Sequence, residues 1–426
     1  MVNFYNSVYI SKIIVDNVDE KYIIQYFKKH NIVYSGDDQG KEVNYWVDEL
    51  FKENKVDIGD FENFLFNELF YGKRKYSRMY RIEKPSRLSN PIDWFEKCQR
   101  TFGIDVLDFT NILGSVANSA DSMKIAASVS EINSKGDLIS LKILFSCYAE
   151  CSDKGDYAQT GMYYPVEVNL ENKELIIRGW NRQGLLETYR AEEAMDHIHK
   201  VMDITFGVST TSYSLEHRKV LYNMSQGVIT DIYNKIPSYS EMSGVQHYVL
   251  TMCKSVVNRL PLKNRHIVDS EYCLNDGVLD FEDELNKTIE KLCVSDFFFD
   301  MPYESVWKMG VDTIISRIKF KDTEHVLTSL NGETSDMPIF CTKTFLALKK
   351  SLEESELVER IWIQKERKRG KMELGYDATK DDYLGIRVLS DIRFKEEDFV
   401  FAKEIYRKYE RGVVTTLKTE NQQDAV

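Results

Sequence analysis

Residues 163–184 read YYPVEVNLENKELIIRGWNRQG. Two runs, 163–168 and 175–180, mix β-branched, aromatic and long apolar residues. Between them, 169–174 is polar and holds two asparagines, whose side chains bond nearby backbone and favour turns. The stretch therefore reads as a β-hairpin. Strand side chains alternate between faces, so Val166 and Val168 share one face, Leu175 and Ile177 share one on the returning strand, and Ile176 lies opposite.

Working outward, 138–145 also alternates, with Ile139, Leu141, Ile143 and Phe145 on one face. This adds a third strand, separated from the hairpin by a polar loop at 154–160. Before it, 2–15 alternates loosely as a first strand, and three short helices follow over 19–30, 41–54 and 60–70. After the hairpin, 215–236 places Leu221, Met224, Val228 and Ile232 on one helical stripe and stops at Pro237. Residues 240–260 do the same with Val245, Tyr248, Val249, Met252, Val256 and Leu260, stopping at Pro261. A further helix covers 281–292. A second β region has strands at 314–320, 357–363, 372–376 and 384–389, with helices at 342–352 and 396–409.

Strands and helices mix without strict βαβ alternation, so the expected class is α+β. The expected architecture is a small N-terminal helical unit and two mixed or antiparallel β regions separated by a helical bundle. The corresponding boundaries are 1–90, 91–206, 207–300 and 301–412, with a frayed tail at 413–426.

The chain has 426 residues, 43% of them hydrophobic and 29% charged, which are values of a globular protein with more than one core. No apolar run approaches the roughly 20 residues a bilayer helix needs, and the N-terminus lacks the pattern of a secretory signal. Seven scattered cysteines suit reduced thiols better than a disulfide framework. These features predict a cytoplasmic protein without a membrane segment. Abundant Tyr, Lys, Asn and Ile with few prolines give a prokaryotic or viral look.

The net charge is −12, which repels polyanions at long range, so any contact with nucleic acid has to come from a local patch. Residues 73–87, KRKYSRMYRIEKPSR, supply one. Lys73, Arg74, Lys75, Arg78, Arg81, Lys84 and Arg87 are opposed only by Glu83, with Tyr76 and Tyr80 interleaved. Cations neutralise phosphates and tyrosine rings stack on unpaired bases. A second cluster, KERKRGK, holds Lys365, Arg367, Lys368, Arg369 and Lys371 at an apparent hairpin tip, where cations also discourage edge pairing.

Glu366 and Lys368, with Asp336 upstream, form the loose pattern of a metal-dependent nuclease, whose carboxylates hold Mg²⁺ or Mn²⁺ and whose lysine supports the leaving charge. No other cofactor is implied, because phosphate loops, zinc motifs, dinucleotide fingerprints and serine-hydrolase motifs are absent from the sequence. His197 and His199 point to different helix faces, and His217 and His247 read as surface positions.

The leading expectation is a nucleic-acid-associated accessory or regulatory protein acting within a larger assembly, with a protein partner or a second copy of itself. The alternatives are the nuclease and a purely structural interaction subunit.

Overall fold

The computed structural model describes residues 10–34, 41–117, 123–153, 156–268, 271–299, 301–332, 334, 337–367, 370–389 and 393–423. The fold is α+β, with antiparallel strands and helices intermixed. Two compact units share the chain: 1–217 with 374–414, and 218–373 with 415–426. The helix Ser214–Tyr233 carries the chain from the first to the second at His217, and the strand Gly370–Asp377 carries it back at Leu374.

In the first unit the expected hairpin forms with Val166 opposite Ile177 and Val168 opposite Leu175, so both predicted apolar pairs share one face. At its turn Asn172 N–H donates to Asn169 Oδ1 at 2.8 Å and Lys173 takes φ +57°. The strand before it is longer than expected: Leu138–Asp153 pairs with Asp156–Asn169, so residues from Asp156 onward are strand where a loop was predicted. The order across this part of the sheet is Tyr383–Val388, Tyr76–Ile82, Glu174–Gly179, Asp156–Asn169, Leu138–Asp153, Met123–Ile132 and Phe109–Thr110.

Tyr76–Ile82 is thus an interior strand, paired on both sides, rather than a cationic linker or an extension of the preceding helix. Its alternation was hidden by its charges. Tyr76, Arg78, Tyr80 and Ile82 share one face, and Ser77, Met79 and Arg81 share the other.

Helices cover both faces. Pro91–Phe102 and Ala191–Ile204 bury Trp94, Cys98, Met195, Ile198 and Met202 against Tyr80, Ile143, Val166, Leu175 and Ile177. Asn90 caps the first of these, with Pro91 in the first turn and Gly103 (φ +68°) ending it. Gly179 permits the second to approach, since a Cβ there would lie 2.8 Å from the Met195 sulfur.

The N-terminal helices form as expected at Glu20–Lys29, Val43–Lys52 and Ile58–Asn67, around the rings of Phe27, Trp46, Phe51 and Phe61. Residues 1–9 lie outside the described part. Lys12–Asn17, the end of the expected first strand, is a helix.

In the second unit Thr313–Lys321 lies between Leu327–Asn331 and Arg360–Arg367. Leu221, Met224, Val228 and Ile232 are buried on one stripe, as their spacing predicts. A separate hairpin, Arg265–Val268 with Glu271–Leu274, stands beside the helix Gln246–Arg259. The C-terminal helix Glu396–Gln423 runs beyond the end expected for it.

Candidate functional site

The cationic segment is distributed through the first unit instead of being laid along a surface. Arg74 is fully buried and meets only neutral acceptors: Asn17 O (2.7 Å), Asn17 Oδ1 (2.7 Å) and Tyr163 O (3.3 Å). The Asn17 amide also donates to Gly161 O at 2.7 Å, so one buried network joins the first helix, the central strand's entrance and the sheet. Gly161 is required there, because a Cβ would lie 2.7 Å from Ile13.

Arg78 is buried and ion-paired with Asp196 on the covering helix, its guanidinium 4.7 Å from the Tyr383 ring. Tyr80 is buried and stacked on His199 at 4.2 Å, which withdraws its ring from base stacking. The half-buried Tyr76 carries Arg387 against its ring. Arg81, on the opposite face, pairs with Glu410 and donates to Asn172 O at 3.1 Å.

These placements correct the expectation that the segment forms one exposed stripe. A strand sends alternate side chains to opposite faces, and here both faces are covered. Within this segment Arg74, Arg78 and Tyr80 are buried, Tyr76 and Arg81 are half-buried, and the ends reach the surface. Lys84 is exposed and paired with Glu83, Arg87 is exposed, and Lys73 and Lys75 line a small cleft.

The C-terminal helix is fastened to the face that carries Arg81. Phe399, Ala402 and Tyr406 are buried, and Lys403, Arg407 and Glu410 lie on the same stripe at helical spacing. Each finds an opposite charge on the sheet. Lys403 donates to Glu167 (2.7 Å), Arg407 grips both oxygens of Glu174 (2.5 and 3.1 Å), and Glu410 accepts from Arg81.

Glu167 also accepts from the fully buried Arg178 at 2.7 Å. Arg178 is boxed by the rings of Phe399 (4.0 Å), Phe70 (4.9 Å) and Tyr71 (5.1 Å). Burial opposes the charge on Glu167, but Arg178 and Lys403 outweigh it and hold the carboxyl down at about 2.

At the helix start Glu396 accepts from Tyr71 and Lys142, each at 2.7 Å. His217, expected at the surface, is buried with Nδ1 2.6 Å from the Tyr406 hydroxyl, and burial followed by nearby Arg81 pushes its pKa down to about 3, leaving it neutral.

The second cationic cluster falls in the second unit, on the strands Arg360–Arg367 and Gly370–Asp377. Lys365 pairs through its backbone with Thr313, Arg367 lies 2.7 Å from the Met372 sulfur, and Lys371 sits 5.8 Å from the Trp307 ring. Of the nuclease trio, Glu366 is exposed near a strand end, while Asp336 and Lys368, like Arg369, lie outside the described residues. Among the described residues no group of three or more His, Cys, Asp or Glu side chains is placed to hold a metal ion.

What sequence reasoning missed is apolar. The helix Gln246–Arg259 buries Val249, Cys253 and Val257, a stripe rotated from the predicted one. Val245, Tyr248 and Met252, assigned to the core by their spacing, are 40%, 72% and 45% exposed. The neighbouring hairpin adds Ile267 (63%), opposite Tyr272 (37%), and the loop after it adds Leu279 (58%). Among the described residues, thirteen of the twenty-six exposed large hydrophobic side chains lie between 245 and 299, far more than this segment's share. Isolated exposed apolar residues are ordinary, and a concentration of them in one segment is not.

No family profile matches this sequence, and no characterised protein gives a significant match to it. Among the described residues no helix is long and apolar enough to cross a membrane.

Proposed function

We propose that this protein is an accessory component of a larger assembly and acts by holding another protein on the apolar surface of residues 245–299. One observation carries the reading: Val245, Tyr248 and Met252 have core spacing, yet among the described residues they stay 40%, 72% and 45% exposed. A surface helix keeps such a stripe when it has a partner elsewhere.

The rim indicates the partner's chemistry. Asp276, Asp280 and Glu282 are exposed around Val278 and Leu279. Opposite Val278 and Leu279 the complement is an apolar segment flanked by lysine or arginine. Arg259 and Lys263, exposed beside Leu260 and Leu262, call instead for acidic residues, since opposite charges at a rim steer association and set register. The nucleic-acid reading loses support because Arg74, Arg78 and Tyr80 are committed inside the first unit.

The double substitution Tyr248→Asp with Met252→Asp tests this. Both positions are exposed, so the melting temperature is expected to stay within about 2 °C of the parent protein, since surface changes of this kind cost little. The partner that co-purifies in stoichiometric amount from the source cell is expected to be lost from the variant. Cross-links in the parent complex are expected to fall within 245–299, next to basic residues of the partner. A partner retained by the double variant, or cross-linked only elsewhere, would overturn the proposal.

A further inference from the structure

The first unit holds a small cleft lined by Lys21, Tyr22, Lys73, Lys75 and Arg393 together with the carboxylates of Asp19 and Glu68. We propose that this cleft binds a single phosphoryl group. The site is independent of the apolar surface described above.

In a chain of net charge −12, four cations converge on one concavity with two carboxylates. Those two are already engaged: Asp19 with Lys21 at 2.8 Å, and Glu68 with Arg393. Lys73 stands differently. Its ammonium donates to the Asp16 carbonyl at 3.0 Å and lies 4.7 Å from the Trp180 ring, and neither partner carries a full negative charge.

Burial lowers the Lys73 pKa, and Arg74 and Arg182 lower it further against Asp19 and Asp16. A half-buried ammonium beside other cations is stabilised by whatever brings negative charge to it. The neighbouring Arg393, stacked at 4.1 Å on Tyr22 and ion-paired with Glu68 through Nη2, adds to the positive charge at the cleft.

The cleft is about half open and has a volume of about 100 Å³, so one oxyanion fits against its cations. The base or sugar of a larger ligand would extend through the open side, leaving its phosphate at the cations. Such a site reads one group at a time, unlike the extended track expected from the sequence.

The phosphate has two sources, a free monoester or the backbone of a nucleic acid, and titration calorimetry at fixed ionic strength separates them. Inorganic phosphate, adenosine monophosphate, a short oligothymidylate and acetate are titrated into the full-length protein. Saturable binding of phosphate and the monoester, with acetate silent, identifies a free phosphorylated ligand. Saturable binding of the oligonucleotide alone identifies a nucleic-acid backbone.

In either case Lys73→Gln and, separately, Lys75→Gln are each expected to weaken binding at least tenfold, and the Lys73 ammonium NMR resonance is expected to shift on saturation. Circular dichroism confirms that each variant is folded, and Lys75→Gln keeps the test decisive where Lys73→Gln is not. The proposal is overturned if none of the phosphorylated probes saturates, if acetate binds as well as phosphate, or if folded variants bind undiminished.

Discussion

Replacing Glu167 with glutamine is expected to destabilise the first unit by roughly 3–5 kcal/mol, the usual cost of removing one partner from a buried ionic cluster. Arg178 and Lys403 would remain in the interior without a countercharge. For a unit of this size the loss lowers the melting temperature on the order of 10 °C. Replacing all three with apolar residues (Glu167→Leu, Arg178→Met, Lys403→Leu) is expected to restore most of it, because the desolvation of three charges is then also removed. A thermal melt of each protein checks both outcomes. A single variant as stable as the parent would mean that the cluster does not fasten the C-terminal helix.

The same carboxyl sets an acid limit. Its folded pKa is depressed below the ordinary glutamate value, so its contribution is complete above that value and disappears as pH falls through about 2. Between those two pKa values roughly 3 kcal/mol is lost progressively. Urea midpoints measured between pH 5 and 2 are expected to fall in the parent and to flatten in Glu167→Gln. Parallel slopes for the two proteins would contradict this.

Arg74→Ala is the second large effect. Its guanidinium saturates Asn17 O, Asn17 Oδ1 and Tyr163 O within the interior. Each acceptor left without a donor costs about 1–3 kcal/mol, and the emptied volume adds to that. The expected loss is about 3–5 kcal/mol, with faster amide exchange in the helix Lys12–Asn17, which Arg74 secures through Asn17. Arg74→Lys should recover only part, since an ammonium cannot span three acceptors in the fork geometry. A urea midpoint unchanged by Arg74→Ala would show that the network contributes little.

The hairpin, the helix 215–236 and the α+β class were legible because apolar periodicity there matches the buried face. The central strand was not, although Tyr76, Tyr80 and Ile82 alternate correctly. Its arginines, and Arg74 just before it, resemble a solvated linker until their partners are known, and those partners are distant: Asp196, Glu410 and Asn17.

The C-terminal helix carried a usable signal. Lys403, Arg407 and Glu410 share the stripe of Phe399 and Tyr406, and charge on an apolar face implies opposite charge across it. The helix at 246–259 failed for the opposite reason. Apolar residues surround much of its circumference, so spacing alone could not tell which flank the chain itself covers.

Arginine modification mapped by mass spectrometry tests most directly whether the cationic segment is structural. Native protein is treated briefly with phenylglyoxal, digested, and compared with protein treated in denaturant. Arg87 is expected to react at once, Arg81 slowly, and Arg74, Arg78 and Arg178 only after unfolding. Rapid native modification of Arg74 and Arg78, at the rate of Arg87, would contradict the account and return the segment to the surface.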